Sequence, residues 1–274
     1  MLWTPQKGRM TVVSNVGIVG TATPGTGVPS NATTLLDGAV TELISAANNT
    51  QDSWGISLYI TSTGASATAA EACMDILIGG ATDDVLIPAL ICGYGVMGKA
   101  WWNYFFPLHI PQGKRIAARL ASVRVNITSQ VICHLYGGSP PPFRVGRKVT
   151  TYGTQVNNAR GQAVVPTASG GTASVTQMIA STTEDHFAFL PGFQPETDTN
   201  MVARNYNIGI GVGAATEDRI GTWEFTSTSL EEFGGPAPNM PAFVDIPAGS
   251  RLTMLASNSG TNDSAYGGLI YAVS

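Results

Sequence analysis

The sequence predicts an all-β chain: two tandem β-sandwich or jelly-roll-like domains related by internal duplication, each with an extended lead-in arm. Three observations predict it. One segment is written twice, as Leu108-His109-Ile110-Pro111-Gln112-Gly113-Lys114-Arg115-Ile116 and as Val244-Asp245-Ile246-Pro247-Ala248-Gly249-Ser250-Arg251-Leu252. Around each copy, short apolar stretches bounded by Gly, Pro, Asn and Asp follow in the same order. The order returns about 135 residues later, too long a period for a stacked solenoid and suited to a duplicated domain. Helical periodicity is nearly absent: residues 65–74, Ala-rich with Glu71, form the one helix-like window, and flanking Thr and Gly weaken it.

The elements follow in order. Residues 1–36 read as the first arm, with short strands at 10–13 and 16–19. A Gly/Thr/Pro stretch at 20–30 is expected to lie on a neighbouring surface. The first unit opens at 39–44, and its counterpart is 174–179. Aromatic-led strands come next, 54–60 and 187–190; in the first, Ile56, Leu58 and Ile60 alternate toward a core. Then 75–79 matches 207–211, an acidic turn follows in each (Asp83-Asp84, Glu217-Asp218), and 85–90 matches 219–225. The twin hairpins come after that. Pro111 and Pro247 are read as the first corner of a type I turn, with Gly113 and Gly249 in the left-handed position that closes it. The units end on 130–136 and 267–273. The boundaries expected are a first domain at 1–138, a stiff Pro-rich linker at 139–142, and a second domain at 143–274 whose arm is 143–172.

Composition narrows the function. A chain of 274 residues fits two domains of roughly 100–200 each. Only 12 % of residues are charged, about half the usual share, so the chain is expected to sit in an assembly and to show a Ser/Thr/Asn/Gly surface. With net charge −4 and no basic run longer than Arg147-Lys148, binding to nucleic acid is not expected. No apolar run reaches the roughly 18–20 residues of a membrane helix, so membrane insertion is not expected. The first residues lack the basic-then-apolar order of a secretion signal. Cys73, Cys92 and Cys133 fit no zinc or redox spacing and read as buried thiols of a reducing compartment.

Chemistry is harder to find. Gly209-Ile210-Gly211-Val212-Gly213 has the wrong spacing for a dinucleotide loop and precedes no helix. His109, His134 and His186 align with Asp245, Ala272 and Ser53, so no histidine recurs, and no metal-ligand set is visible. The acidic turns offer too few oxygens for calcium and read as solvated. There is no Gly-x-Ser-x-Gly elbow, and no carboxylate pair stands out for glycoside hydrolysis. The chain is expected to be no enzyme and to hold no cofactor.

The most unusual stretch is Trp101-Trp102-Asn103-Tyr104-Phe105-Phe106, five aromatics in six residues. Alternate side chains of a strand point to opposite faces, so one core cannot take them all. Trp101, Trp102, Tyr104 and Phe105 are the candidate interface residues. Packing within the domain and stacking on carbohydrate are the other readings. The matching stretch 233–241 is Gly/Pro-rich, so the two domains are expected to meet different neighbours.

The openings Leu43-Ile44-Ser45-Ala46 and Met178-Ile179-Ala180-Ser181, the strand Asp75-Ile76-Leu77-Ile78-Gly79 and the hairpin from Phe106 to Ile116 resemble tailed-phage virion proteins with tandem β-sandwich domains. The resemblance spans about residues 38–274. It implies a structural part of a virus particle, made in the host cytoplasm. Within that class it favours a capsid decoration or cement that contacts other copies of itself and other virion proteins. The alternative is a tail or adaptor component, or a receptor- or carbohydrate-binding module with a host-surface glycan as partner. The family brings no catalytic residues.

Overall fold

The computed structural model describes residues 11–14, 25–63, 71–80, 82–93, 101–138, 141, 143–154, 161–168, 171–195, 203–213, 217–228, 233–235, 239–261 and 266–274. All regular structure among these is β. The first half supplies β1 (Thr11–Ser14), β2 (Thr26–Pro29), β3 (Thr41–Ile44), β4 (Ser53–Thr63), β5 (Ala72–Gly79), β6 (Asp83–Ile91), β7 (Trp101–Phe106), β8 (Arg115–Ser122) and β9 (Thr128–Gly137). The second supplies β10 (Val149–Tyr152), β11 (Gln162–Val164), β12 (Ser174–Ile179), β13 (His186–Pro195), β14 (Arg204–Val212), β15 (Asp218–Ser227), β16 (Phe233–Gly234), β17 (Ala242–Ile246), β18 (Leu252–Asn258) and β19 (Tyr266–Val273).

The two halves pair their strands in the same order. In the first, β9-β4-β7 forms one sheet, with β1 and β2 along the other edge of β9, and β3-β8-β5-β6 forms the second. In the second half β19-β13-β17 forms one sheet, with β10 and β11 along β19, and β12-β18-β14-β15 is the other path. β16 then pairs antiparallel with β15 and parallel with β7, merging one sheet of each half into a ten-stranded sheet. Alternation sets the inward faces. Ile56, Leu58 and Ile60 of β4 and Val131, Cys133 and Leu135 of β9 are fully buried, while Tyr59 between them is 42 % exposed.

Two local expectations are corrected. Residues 72–74 of the helix-like window belong to β5, paired to β8 and β6; the ladder on both sides outweighs the helical preference of the Ala-rich window. Residues 65–70 lie outside the described residues. The arms were expected on a neighbouring surface. Their described parts instead pair within the chain, β1 and β2 on β9 and β10 and β11 on β19, covering sheet edges that would otherwise be open to foreign strands. The strand expected at 16–19 lies outside the described residues.

The twin hairpins sit in corresponding surroundings, with a different turn type. Lys114 N–H closes on Pro111 C=O at 3.4 Å, and Gly113 has φ of 74°. The proline therefore opens the four-residue turn, and a left-handed third residue makes it type II. Gly249 has φ of 84°. The amide after each proline, Gln112 and Ala248, donates to the carboxylate of Asp52 and Asp185 respectively, each at 2.8 Å. Gly113 N–H reaches Asn49 C=O and Gly249 N–H reaches Thr182 C=O, again each at 2.8 Å. The hairpin arginines also repeat one contact: Arg115 pairs with Asp83 and Arg251 with Glu217. The acidic turns, expected to be solvated, are so only in part: Asp84 and Asp218 are exposed, but the Asp83 and Glu217 side chains are only 13 % and 11 % exposed. A Cβ on Gly249 would meet nothing within 4 Å, so Gly249→Ala carries only the backbone penalty. A loss of about 1–2 kcal/mol in chemical denaturation is expected.

Candidate contact surface

β7 sorts the aromatic stretch by alternation. Trp102, Tyr104 and Phe106 point inward and are at most 1 % exposed; Phe105 points outward and is half-buried. The side chain of Trp101 lies outside the described residues. Trp102 stacks on Tyr104 (6.1 Å between centroids, 8° between planes) and reaches Phe233 and Phe225 of the second half at 5.6 and 6.2 Å. Tyr104 and Phe106 each meet Tyr271 of β19 edge-on at 5.9 Å.

Tyr271 occupies the flank of the first sandwich, between β6 and β7. Its hydroxyl accepts from Ile91 N–H at 2.7 Å and donates to Ala89 C=O at 3.2 Å. Tyr104 hydroxyl donates to Ile91 C=O at 2.9 Å. Ala89 has a left-handed φ of 53°, and its N–H is held by the Asp75 carboxylate at 2.8 Å. Asp75 is in turn paired with Arg119 at 2.6 Å. Burial pushes the pKa of both tyrosine hydroxyls well above the usual phenol value, so both remain donors. Trp102 and Tyr104 thus form a seam between two halves of one chain. Of the candidate interface residues with a described side chain, only Phe105 faces outward.

Phe105 belongs to an outer aromatic strip. It lies over Gly55, where a Cβ would come within 2.8 Å of its ring. Its ring meets Tyr136 at 5.9 Å and Phe143 at 5.8 Å. Trp54 meets Tyr136 at 6.1 Å and Phe143 at 5.4 Å, and Phe143 stacks on Phe243 at 5.6 Å. Phe243 is 46 % exposed and the other four are half-buried. Farther along the same sheet face, Tyr59 and His134 meet edge-on at 5.8 Å. Partial burial holds the His134 pKa below the usual imidazole value.

A groove borders the strip. Phe143, Arg144, Phe187, Phe243, Val244 and Asp245 line a cavity of about 280 Å³. Arg144 lies 4.5 Å over the Phe187 ring and pairs with Asp245 at 2.8 Å. A second cavity of about 280 Å³, shared at Arg144 and Asp245, is lined by Asp185 and His186. His186 is interior: its Nε2 contacts Tyr152 hydroxyl at 2.7 Å, and burial lowers its pKa. His109 is exposed. Pairing register corrects the alignment of His134. It lies opposite Ser57 as Tyr271 lies opposite Leu190, so its counterpart is Tyr271 rather than Ala272. Cys73, Cys92 and Cys133 are buried thiols, and burial raises their pKa. Among the described residues no three His, Cys, Asp or Glu side chains are grouped as metal ligands would be. Sequence reasoning missed Phe143, Phe243 and Arg144, which no spacing singles out; Phe143 follows the prolines 140–142 directly.

No family description and no curated protein matches the chain. Some solved structures match the chain weakly. A structure of PNGF-II has 9 % identity and a TM-score of 0.34, over 97 % of this chain and 65 % of that one. The chain therefore spans just under two thirds of that protein's length. PNGase F, a glycosylasparaginase from Flavobacterium meningosepticum, has 10 % identity and a TM-score of 0.32, over 97 % and 96 % of the two chains. The VP2 subviral particle of infectious bursal disease virus has 10 % identity and a TM-score of 0.23, over 98 % and 72 %. Likeness at this level says nothing about activity.

Proposed function

We propose that the chain is a non-enzymatic structural component of a tailed-phage virion, a capsid decoration or cement that works through subunit contacts. We also infer that its halves descend from one duplicated domain; the shared strand order and the repeated hairpin contacts support this. The observation that carries the functional reading is the aromatic strip of Trp54, Phe105, Tyr136 and Phe143, which joins both halves and ends at exposed Phe243. Contiguous exposed apolar surface on a folded protein marks a contact site. The test is quantitative mass spectrometry of purified particles, with antibody labelling of the shell. The reading expects the chain at a fixed ratio to the major shell protein. A chain found only in the soluble fraction contradicts it.

A second reading has its own support. The groove beside Phe143 and Phe243 combines ring faces with the Arg144–Asp245 pair, the mixture that saccharides use for stacking and hydrogen bonding. If it binds a host-surface glycan, Phe243→Ala should abolish calorimetric binding of that glycan and leave the melting temperature nearly unchanged. Equal binding by both proteins contradicts this reading.

A further inference from the structure

Both faces of β13 and β19 are buried along their whole length. One face packs in the second half's own core, where Phe193 stacks on Tyr266 at 4.8 Å. The other is covered by the first half, whose β6 and β7 enclose Tyr271. β4 and β9 hold the same places in the first half. Ser57 opposite His134 corresponds to Leu190 opposite Tyr271, and Tyr59 opposite Ile132 corresponds to Gly192 opposite Leu269.

Among the described residues that outer face in the first half is only partly covered, with Ser57 on it buried. Tyr59 is 42 % exposed, and Ile132, His134 and Tyr136 are half-buried. None of β4, β7 and β9 contains Asp, Glu, Lys or Arg, so a partner recognised by charge finds no counter-charge there.

We propose that the outer face of β4 and β9 is the docking surface for a second copy of this chain. Two observations select that occupant. The equivalent face of the second half is already an interface with a sandwich of this same chain. The β4 and β9 face is also continuous with that junction, through Phe105, Phe143 and Phe243. If the β4 and β9 face takes a neighbour as the β13 and β19 face takes the first half, the contact is head-to-tail and closes into rings or extends into filaments. The inference rests on the assembly reading and names its partner.

Sedimentation velocity of the full chain across micromolar concentrations tests it, with two charged variants. The wild type should pass from monomer to dimer or larger. Tyr59→Lys should weaken association by about tenfold or more, because a charge is placed at the centre of the contact, and should leave the melting temperature unchanged. Val175→Lys, on β12 and 50 % exposed, should associate like the wild type. A wild type that stays monomeric throughout overturns the proposal, as does a Tyr59→Lys variant that associates normally. Binding of a saccharide or of another virion protein to this face of a monomeric chain overturns it equally. Absence of the chain from particles sinks the virion reading alone, since self-association is measured on the purified protein.

Discussion

Tyr271→Phe is expected to lower the unfolding free energy by about 1–3 kcal/mol, because it leaves the buried Ile91 N–H and the part-buried Ala89 C=O without their partner. Tyr271→Ala should cost more, about 3–5 kcal/mol, since a cavity opens where Tyr104 and Phe106 now pack. The order of the two losses matters as much as their size. The hydroxyl bridges backbone at a left-handed alanine, a strained site that needs its hydrogen bonds to hold shape. Urea denaturation of both variants checks the pair of values. A Tyr271→Phe protein as stable as wild type would mean that the hydroxyl bridge contributes nothing to the seam.

Trp102→Ala should also cost about 3–5 kcal/mol, whereas Phe105→Ala, three positions along the same strand, should cost less than about 2 kcal/mol. The two rings leave opposite faces of β7. Trp102 fills the seam against Tyr104, Phe225 and Phe233, while Phe105 covers Gly55 and remains half in water. Association should reverse the ranking, with Phe105→Ala weakening self-contact and Trp102→Ala acting only through lost folding. Denaturation and sedimentation on the two variants separate these effects. Equal destabilisation by both would show that the outward face of β7 is packed as tightly as the inward one.

Much of the strand plan is legible in the sequence because alternation and turn residues act locally. The stretch 174–179 coincides with β12, and the Ile-Pro-x-Gly-x-Arg motif locates both hairpins. What stayed hidden depends on distant partners. The turns are type II because Asn49 and Asp52, and likewise Thr182 and Asp185, hold the loop from another part of the chain. Asp83 and Glu217 looked solvated because the arginines that pair with them lie more than thirty residues away. The aromatic stretch gave away its alternation but not its partner: Tyr271 stands in β19, among apolar residues that read as ordinary core. His134 is the fifth residue of 130–136 and Tyr271 the fifth of 267–273, so laying the two closing strands end to end already gives the pair that the register shows.

The central claim, that the outer face of β4 and β9 is a self-contact, is tested most directly by carbethoxylation of the histidines in a dilution series read by mass spectrometry. The three histidines calibrate one another: His109 is exposed, His186 is 1 % exposed, and His134 lies at the centre of the face with its imidazole neutral near pH 7. The account predicts that His134 becomes protected as concentration rises, while His109 reacts throughout and His186 does not. Modification of His134 that tracks His109 at every concentration would contradict it.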